Sequence, residues 1–197
     1  MEEIFAMNQR VAMTKRLLKE GLLELLEDYS ISHVTVVMLC AKAGVNRSTF
    51  YAHYSNPHDV LREIGYETTE EIKRLIQEQG NACMRDYLLA TCTYVYETKD
   101  LQKVLILNTS TDDIQEMMKV IPFDAVFSEA LADKGVATGQ EERELATVFL
   151  TSGIYSVIRR WILNDIDKSP TEVTDIILAM AEKIASDRIV TSELATA

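Results

Sequence analysis

A chain of 197 residues with 47% hydrophobic and 26% charged side chains is long and apolar enough to bury a sizeable core, which excludes a disordered polymer. Seven Gly and three Pro are too few turn-formers for an all-β protein of many short strands. A formal net charge of −11 excludes a polycation that coats nucleic acid regardless of sequence, because phosphate affinity comes mainly from Lys and Arg displacing counterions.

Val11, Leu18, Leu22, Leu25, Leu26 and Tyr29 recur at helical spacings, which predicts an amphipathic helix from about Asn8 to Tyr29. Lys15, Arg16 and Lys19 occupy its early half and Glu24, Glu27 and Asp28 its end, the reverse of what the helix dipole favours, so the basic end points to a use other than helix stability. Thr35 then stands where an N-cap belongs, ahead of VVMLCAKA, and Gly44 stands where a left-handed residue closes a helix, leaving two turns between them. The segment NRSTFYAHY predicts a second short helix opened by Asn46 or Arg47, with Phe50 and Tyr54 on one face. Asn56 and Pro57 read as cap and first residue of a long helix running to about Gln79, with Asp59 in its first turn. Further helices are expected near residues 82–97, 100–109, 112–134, 140–165 and 170–187, the third interrupted at Pro122 and the last capped by Ser169 and opened by Pro170. The predicted fold is all-α with about nine helices: a three-helix N-terminal domain over residues 1–56 and a larger helical domain over residues 57–197.

Cys40, Cys83 and Cys92 form no CxxC pair and cannot all be disulfide-bonded within one chain, which suits a reducing compartment. The acidic N-terminus is unlike a signal peptide, and no stretch approaches the ~20 apolar residues of a membrane span, so a soluble cytoplasmic protein with no membrane partner is expected. His33, His53 and His58 lack metal-ligand spacing, and GxSxG, HExxH and phosphate-binding glycine loops are absent, which argues against an enzyme, a metal site and a cofactor. The carboxylates at Asp112, Asp113, Glu116, Glu141, Glu142 and Glu144 fall in helix first turns, where the dipole favours them.

Two short helices around a glycine turn have the spacing of a helix-turn-helix. Cys40, Ala43 and Gly44 are small where the backbones must approach, and Leu39, Val45 and Phe50 supply apolar groups beneath. An ordinary helical hairpin needs the same small and apolar residues but has no use for NRSTFYAHY. Arg47 is the one long cation of that segment, and an Arg contact to guanine is worth about 1–3 kcal/mol of discrimination. Asn46, Ser48 and Thr49 offer short donors and acceptors, Tyr51 and His53 stand where a phosphate can be gripped, and Thr35 sits at a helix start, where anions are favoured.

The run TVVMLCAKAGVNRSTFYAHYSNPHDVL, residues 35–61, resembles the DNA-binding signature of the TetR family of regulators, in Thr35, in Ala43, Gly44 and Val45, in Ser48 through Tyr51, and in Tyr54 before Asn56. With the preceding helix the likeness spans about residues 8–66. It implies a homodimer that reads a roughly palindromic double-stranded operator, with DNA contacts at Lys15, Thr35, Val37, Asn46, Arg47, Ser48, Thr49, Tyr51, His53 and Asn56, and a C-terminal domain that binds a small-molecule effector or a protein. Two positions depart from the family pattern: Pro57 replaces the common Lys, and Val37 replaces a residue that is often polar. Lys15, Lys42, Arg47 and His58 must then supply much of the positive potential. Residues 1–66 hold seven Lys/Arg against eight Asp/Glu, whereas residues 67–197 hold thirteen against twenty-three.

The stretch GIYSVIRRWILNDIDKSPTEV is similar to regulators of dihydroxyacetone kinase operons. The family likeness implies a dimer built from the last two helices, with Tyr155, Ile158, Ile162, Ile176, Ile177 and Met180 as candidates; the same residues serve equally well as intramolecular core. An effector pocket for an uncharged or cationic molecule is expected at Tyr94, Met117, Met118, Phe123, Phe127, Phe149 and Tyr155, against a plain-core alternative. A rival reading keeps the helix-turn-helix as a weak or vestigial element and has the acidic C-terminal domain dock onto another protein as an adaptor.

Overall fold

The computed structural model describes residues 2–78, 83–118 and 140–194. Among them the chain forms only helices: α1 (Glu2–Leu25), a 3-10 turn (Ile31–His33), α2 (Val36–Ala43), α3 (Arg47–Tyr51), α4 (Pro57–Glu78), α5 (Met84–Glu97), α6 (Lys99–Asn108), α7 (Thr111–Met118), α8 (Gln140–Leu163) and α9 (Pro170–Leu194). The fold is all-α, as the sequence predicts. Two compact units are present, Met1–Thr68 with Asp100–Met117, and Thr69–Lys99 with Met118–Ala197, so α4 contributes residues to both.

Helix ends sit where the sequence supplies side chains to close them. Asn56 Oδ1 accepts from the Asp59 amide at 3.1 Å, and Asp59 Oδ2 accepts in return from the Ser55 and Asn56 amides, which opens α4 at Pro57. Ser169 and Glu172 make the same reciprocal pair ahead of α9. At the end of α8, Asp165 takes φ of 45° and the Ile166 amide reaches back to the Trp161 carbonyl at 3.1 Å, the closure usually made with glycine. Two boundaries differ from expectation. The first helix starts at Glu2 and stops at Leu25, four residues before Tyr29; Leu26 and Ile31 anchor the following turn in the core, while Tyr29 is exposed. Of the segment expected at 112–134, α7 covers the first part, and Pro122 lies outside the described residues.

The first unit has a core of Leu18, Leu22 and Leu26 from the α1 region, Leu39 and Cys40 from α2, Phe50, Tyr54, Val60, Leu61 and Ile64 around α3 and α4, and Leu105 from α6. Burying side chains of this size contributes about 1.5–3 kcal/mol each. α1 and α2 touch at Gly21, where an added Cβ would stand 3.2 Å from both the Cβ and the backbone nitrogen of Ala43. In the second unit α5 packs on α9, and Leu88, Cys92, Val95, Ile154, Ile158, Trp161, Ile162, Val173 and Ile177 are buried. Trp161 stacks on Tyr96 at 5.5 Å and donates its indole N–H to the Lys168 carbonyl.

Candidate nucleic-acid interface

The helix-turn-helix is assembled by three local devices. Thr35 Oγ1 accepts from the Met38 amide at 3.2 Å and starts α2. Gly44 ends it with φ of 65° and ψ of 27°, its amide bonding back to the Cys40 carbonyl. Nothing lies within 4 Å of a Cβ added at Gly44, so the requirement there is conformational rather than one of space; the close backbone approach at this end of α2 is to α1, where Ala43 meets Gly21. Asn46 then caps α3, its Oδ1 accepting from the Thr49 amide at 2.8 Å and the Ser48 hydroxyl at 2.7 Å.

α3 is only five residues long and hangs on Phe50, which is fully buried with Tyr51 edge-on at 5.4 Å and Tyr54 at 5.9 Å. Turning Phe50 inward turns Arg47, Ser48 and Tyr51 outward. Tyr51 is 60% exposed and Val37, on α2, 50%. Thr35, Asn46 and Asn56 are also exposed, and Thr49 and His53 are half-buried. Arg47 has no ion pair among the described residues. Burial pushes the neighbouring Cys40 thiol above its usual pKa, and the Arg47 charge acts in the opposite direction.

The other expected cations are differently placed. Lys15 Nζ lies 2.9 Å from Glu63 Oε2 and sits over the Tyr54 ring, 5.4 Å from its centroid. Lys42 pairs with Glu24 at 2.7 Å. Glu63 also takes Lys19 at 2.9 Å, and Lys19 in turn pairs with Glu67. Burial opposes the charge on Glu63, but the hydrogen bonds from Lys19 and Lys15 outweigh it and bring its carboxyl down to about 2. The Tyr54 phenol is pushed well up by burial and by the adjacent Glu63 charge. Lys15 is therefore part of a clasp between α1 and α4. The sequence signal was a pair of matched four-residue spacings, Lys15 with Lys19 and Glu63 with Glu67.

In the second unit, a cleft of about 340 Å³ is lined by Leu75 of α4 and by Asp86, Leu89, Ala90, Thr93, Tyr94 and Glu97 of α5. Of the expected pocket residues, Tyr94 lines it. Met117 belongs to the first unit and is buried there against α4, where a Cβ on Gly65 would meet its sulfur at 2.6 Å. Met118 ends α7, Phe149 is exposed on α8 and Tyr155 is half-buried, while Phe123 and Phe127 lie outside the described residues. Of the expected dimer residues, Ile158, Ile162 and Ile177 are buried within the subunit, Ile176 is half-buried and Met180 is exposed. The large exposed apolar residues of α8 are instead Leu145, Val148 and Phe149.

Residues 84–183, just over half of the chain, match the TetR-type family described as "Transcriptional regulator C-terminal region". The chain belongs to the TetR family of transcriptional regulators. This TetR-family chain is similar in fold to a TetR transcriptional regulator from Streptococcus agalactiae, at 18% identity and a TM-score of 0.69, over 90% of this chain and 98% of that one. It is also similar to a TetR-family repressor, FadR from Thermus thermophilus, solved with lauroyl-CoA, at 20% identity and a TM-score of 0.56, over 84% of this chain and 92% of that one. The dihydroxyacetone kinase operon activator DhaS is a third, at 15% identity and a TM-score of 0.55, over 88% and 96% of the two chains. No curated protein matches the chain significantly by sequence. The TetR-family match falls on the C-terminal region, the part in which the sequence alone shows the weaker likeness. As a TetR-family regulator the chain is not an enzyme. Among the described residues, no helix is long and apolar enough to cross a membrane and no His/Cys/Asp/Glu cluster could hold a metal ion.

Proposed function

We propose that this regulator is a cytoplasmic homodimer that binds a roughly palindromic operator through α3, represses the adjacent genes and lets go when a small effector binds its C-terminal part. The observation that carries it is α3 itself: a short capped helix whose Phe50 is buried while Arg47 and Tyr51 face outward, with no ion pair to Arg47 among the described residues. In this reading Arg47 contacts a base edge, Asn46, Ser48 and Thr49 reach bases or phosphates, Thr35, Tyr51, His53 and Asn56 hold phosphates, and Val37 offers its methyls to the groove. Lys15 contributes charge only when Glu63 releases it. Two reading helices about 34–36 Å apart, or somewhat more, match successive major grooves. Repression, rather than activation, follows the Thermus thermophilus relative; DhaS is an activator, so the shared fold does not by itself fix the sign of the response.

The adaptor reading is favoured by one set of facts, the net charge of −11 together with Lys15 and Lys42 both engaged by carboxylates. A gel shift with the promoter DNA flanking the gene, over a series of salt concentrations, separates the two. The native chain is expected to shift this DNA at low salt, Arg47→Ala to lose sequence preference, and Tyr51→Ala to weaken binding to all sequences alike. Absence of a shift at every salt concentration supports the adaptor.

A further inference from the structure

The cleft beside α5 has a charge pattern with consequences for what it can hold. Asp86, Leu89, Ala90, Thr93, Tyr94 and Glu97 are spaced by three, one, three, one and three residues, which puts them in a single stripe along the helix. A carboxylate therefore stands in the first turn and another in the last turn, about 16 Å apart along the axis, with apolar and hydroxyl-bearing side chains between them. The Cys83 thiol and amide donate to Asp86 Oδ2 at 3.2 and 3.0 Å and lower the pKa of its carboxyl. No Lys or Arg is among the described residues lining the cleft. At about 340 Å³ it falls at the small end of the range in which proteins hold organic ligands, about 300–1,000 Å³.

A groove with an apolar waist and a negative group at each end complements an elongated aliphatic chain with positive amines toward both ends. The phosphates of an acyl-CoA would meet carboxylates there and no cation among the described lining residues. We propose that the α5 cleft binds a linear aliphatic polyamine, with its amines on Asp86 and Glu97 and its methylenes over Leu75, Leu89 and Ala90. The proposal rests on the effector-responsive reading above only for its regulatory meaning.

The test is calorimetric titration of the full chain with spermine, n-octylamine and lauroyl-CoA, in the absence of DNA. Spermine is expected to bind one molecule per chain and more tightly than n-octylamine, with lauroyl-CoA not competing. Glu97→Gln, which removes an exposed carboxylate without touching the helix cap, is expected to weaken spermine roughly two- to fivefold, the size of one exposed ion pair. Ala90→Leu, which fills the waist, is expected to weaken it further, and Glu144→Gln, a carboxylate outside the cleft, to leave it unchanged. Equal affinity for n-octylamine and spermine, equal weakening by Glu97→Gln and Glu144→Gln, displacement by lauroyl-CoA, or no heat with spermine would each overturn the assignment. Because no DNA is present, such a failure leaves the operator-binding reading standing, and a failed gel shift leaves the titration standing.

Discussion

Lys15 of α1 and Glu63 of α4 meet at 2.9 Å over the ring of Tyr54, and this pair, extended by Lys19, joins the helix that precedes the helix-turn-helix to the helix that follows it. Because the folded carboxyl sits at about 2, below its unfolded value of 4.5, the clasp stabilises the fold fully above pH 4.5 and loses that contribution as pH falls toward 2. With Glu63 still 27% exposed, solvent screening reduces the effect to about 1 kcal/mol. Thermal melts of the native chain and Glu63→Gln are expected to differ near neutral pH and to converge as pH drops below 4.5, with the native chain losing the difference. A constant gap across this range would mean that the carboxylate's charge does not matter.

Gly44 and Gly21 separate two kinds of glycine requirement. At Gly44 the backbone is left-handed and the surroundings are empty, so Gly44→Ala is expected to lower stability by roughly 1–2 kcal/mol, with Gly44→Asn recovering part of the loss. At Gly21 the backbone is helical and alanine has the better propensity, but its Cβ would press on the Ala43 backbone. Gly21→Ala is therefore expected to destabilise despite that propensity, and Gly21→Ser more so, as measured by denaturant unfolding. Stabilisation by Gly21→Ala would show that α1 and α2 can separate without loss.

Asn46 holds a helix too short to persist alone. Asn46→Ala removes the acceptor for the Thr49 amide and the Ser48 hydroxyl, a loss of about 1 kcal/mol. Global melting is expected to change little, because Phe50 still anchors the segment, while amide exchange in Arg47–Tyr51 accelerates and DNA binding weakens. Asn46→Asp, which retains the acceptor at a helix start, is expected to restore the slow exchange.

What the sequence made legible follows the same division between local and long-range chemistry. Thr35, Gly44, Asn46, Asn56 with Pro57, and Ser169 with Pro170 each act on a backbone group within a few residues, and they mark the starts and stops observed in the structure. The end of α1 carries no such residue; its position is set by Leu26 and Ile31 turning into a core completed by Leu105, and by the Ile31 amide donating to Asn108 of α6. The partner of Lys15 is 48 residues away and meets it only once α1 has packed on α4, so the matched spacings of Lys15 with Lys19 and Glu63 with Glu67 are the only trace of the pairing in the sequence. Met117 looked like a pocket residue by type, yet the missing side chain at Gly65 makes room for it in the core.

α8 presented a harder ambiguity, because it is apolar on two faces. Ile154, Ile158, Trp161 and Ile162 recur at helical spacing and are buried in the subunit, whereas Leu145, Val148 and Phe149 form a second set that is exposed, with Met180 exposed on α9. Periodicity alone cannot rank two such stripes, and the solvent exposure of the second, up to 72% at Leu145, makes it the stripe to test as the subunit contact of the proposed dimer. Phe149→Asp is expected to yield a monomer in sedimentation equilibrium with the helical circular dichroism and melting temperature of an isolated subunit preserved. Ile158→Ala is expected to do the reverse, lowering stability by about 2–5 kcal/mol through the cavity it leaves while the surviving folded protein still self-associates. If Phe149→Asp left the molecular mass unchanged and Ile158→Ala dissociated it, the contact would run along the first stripe, and the subunit core would have to open to form it.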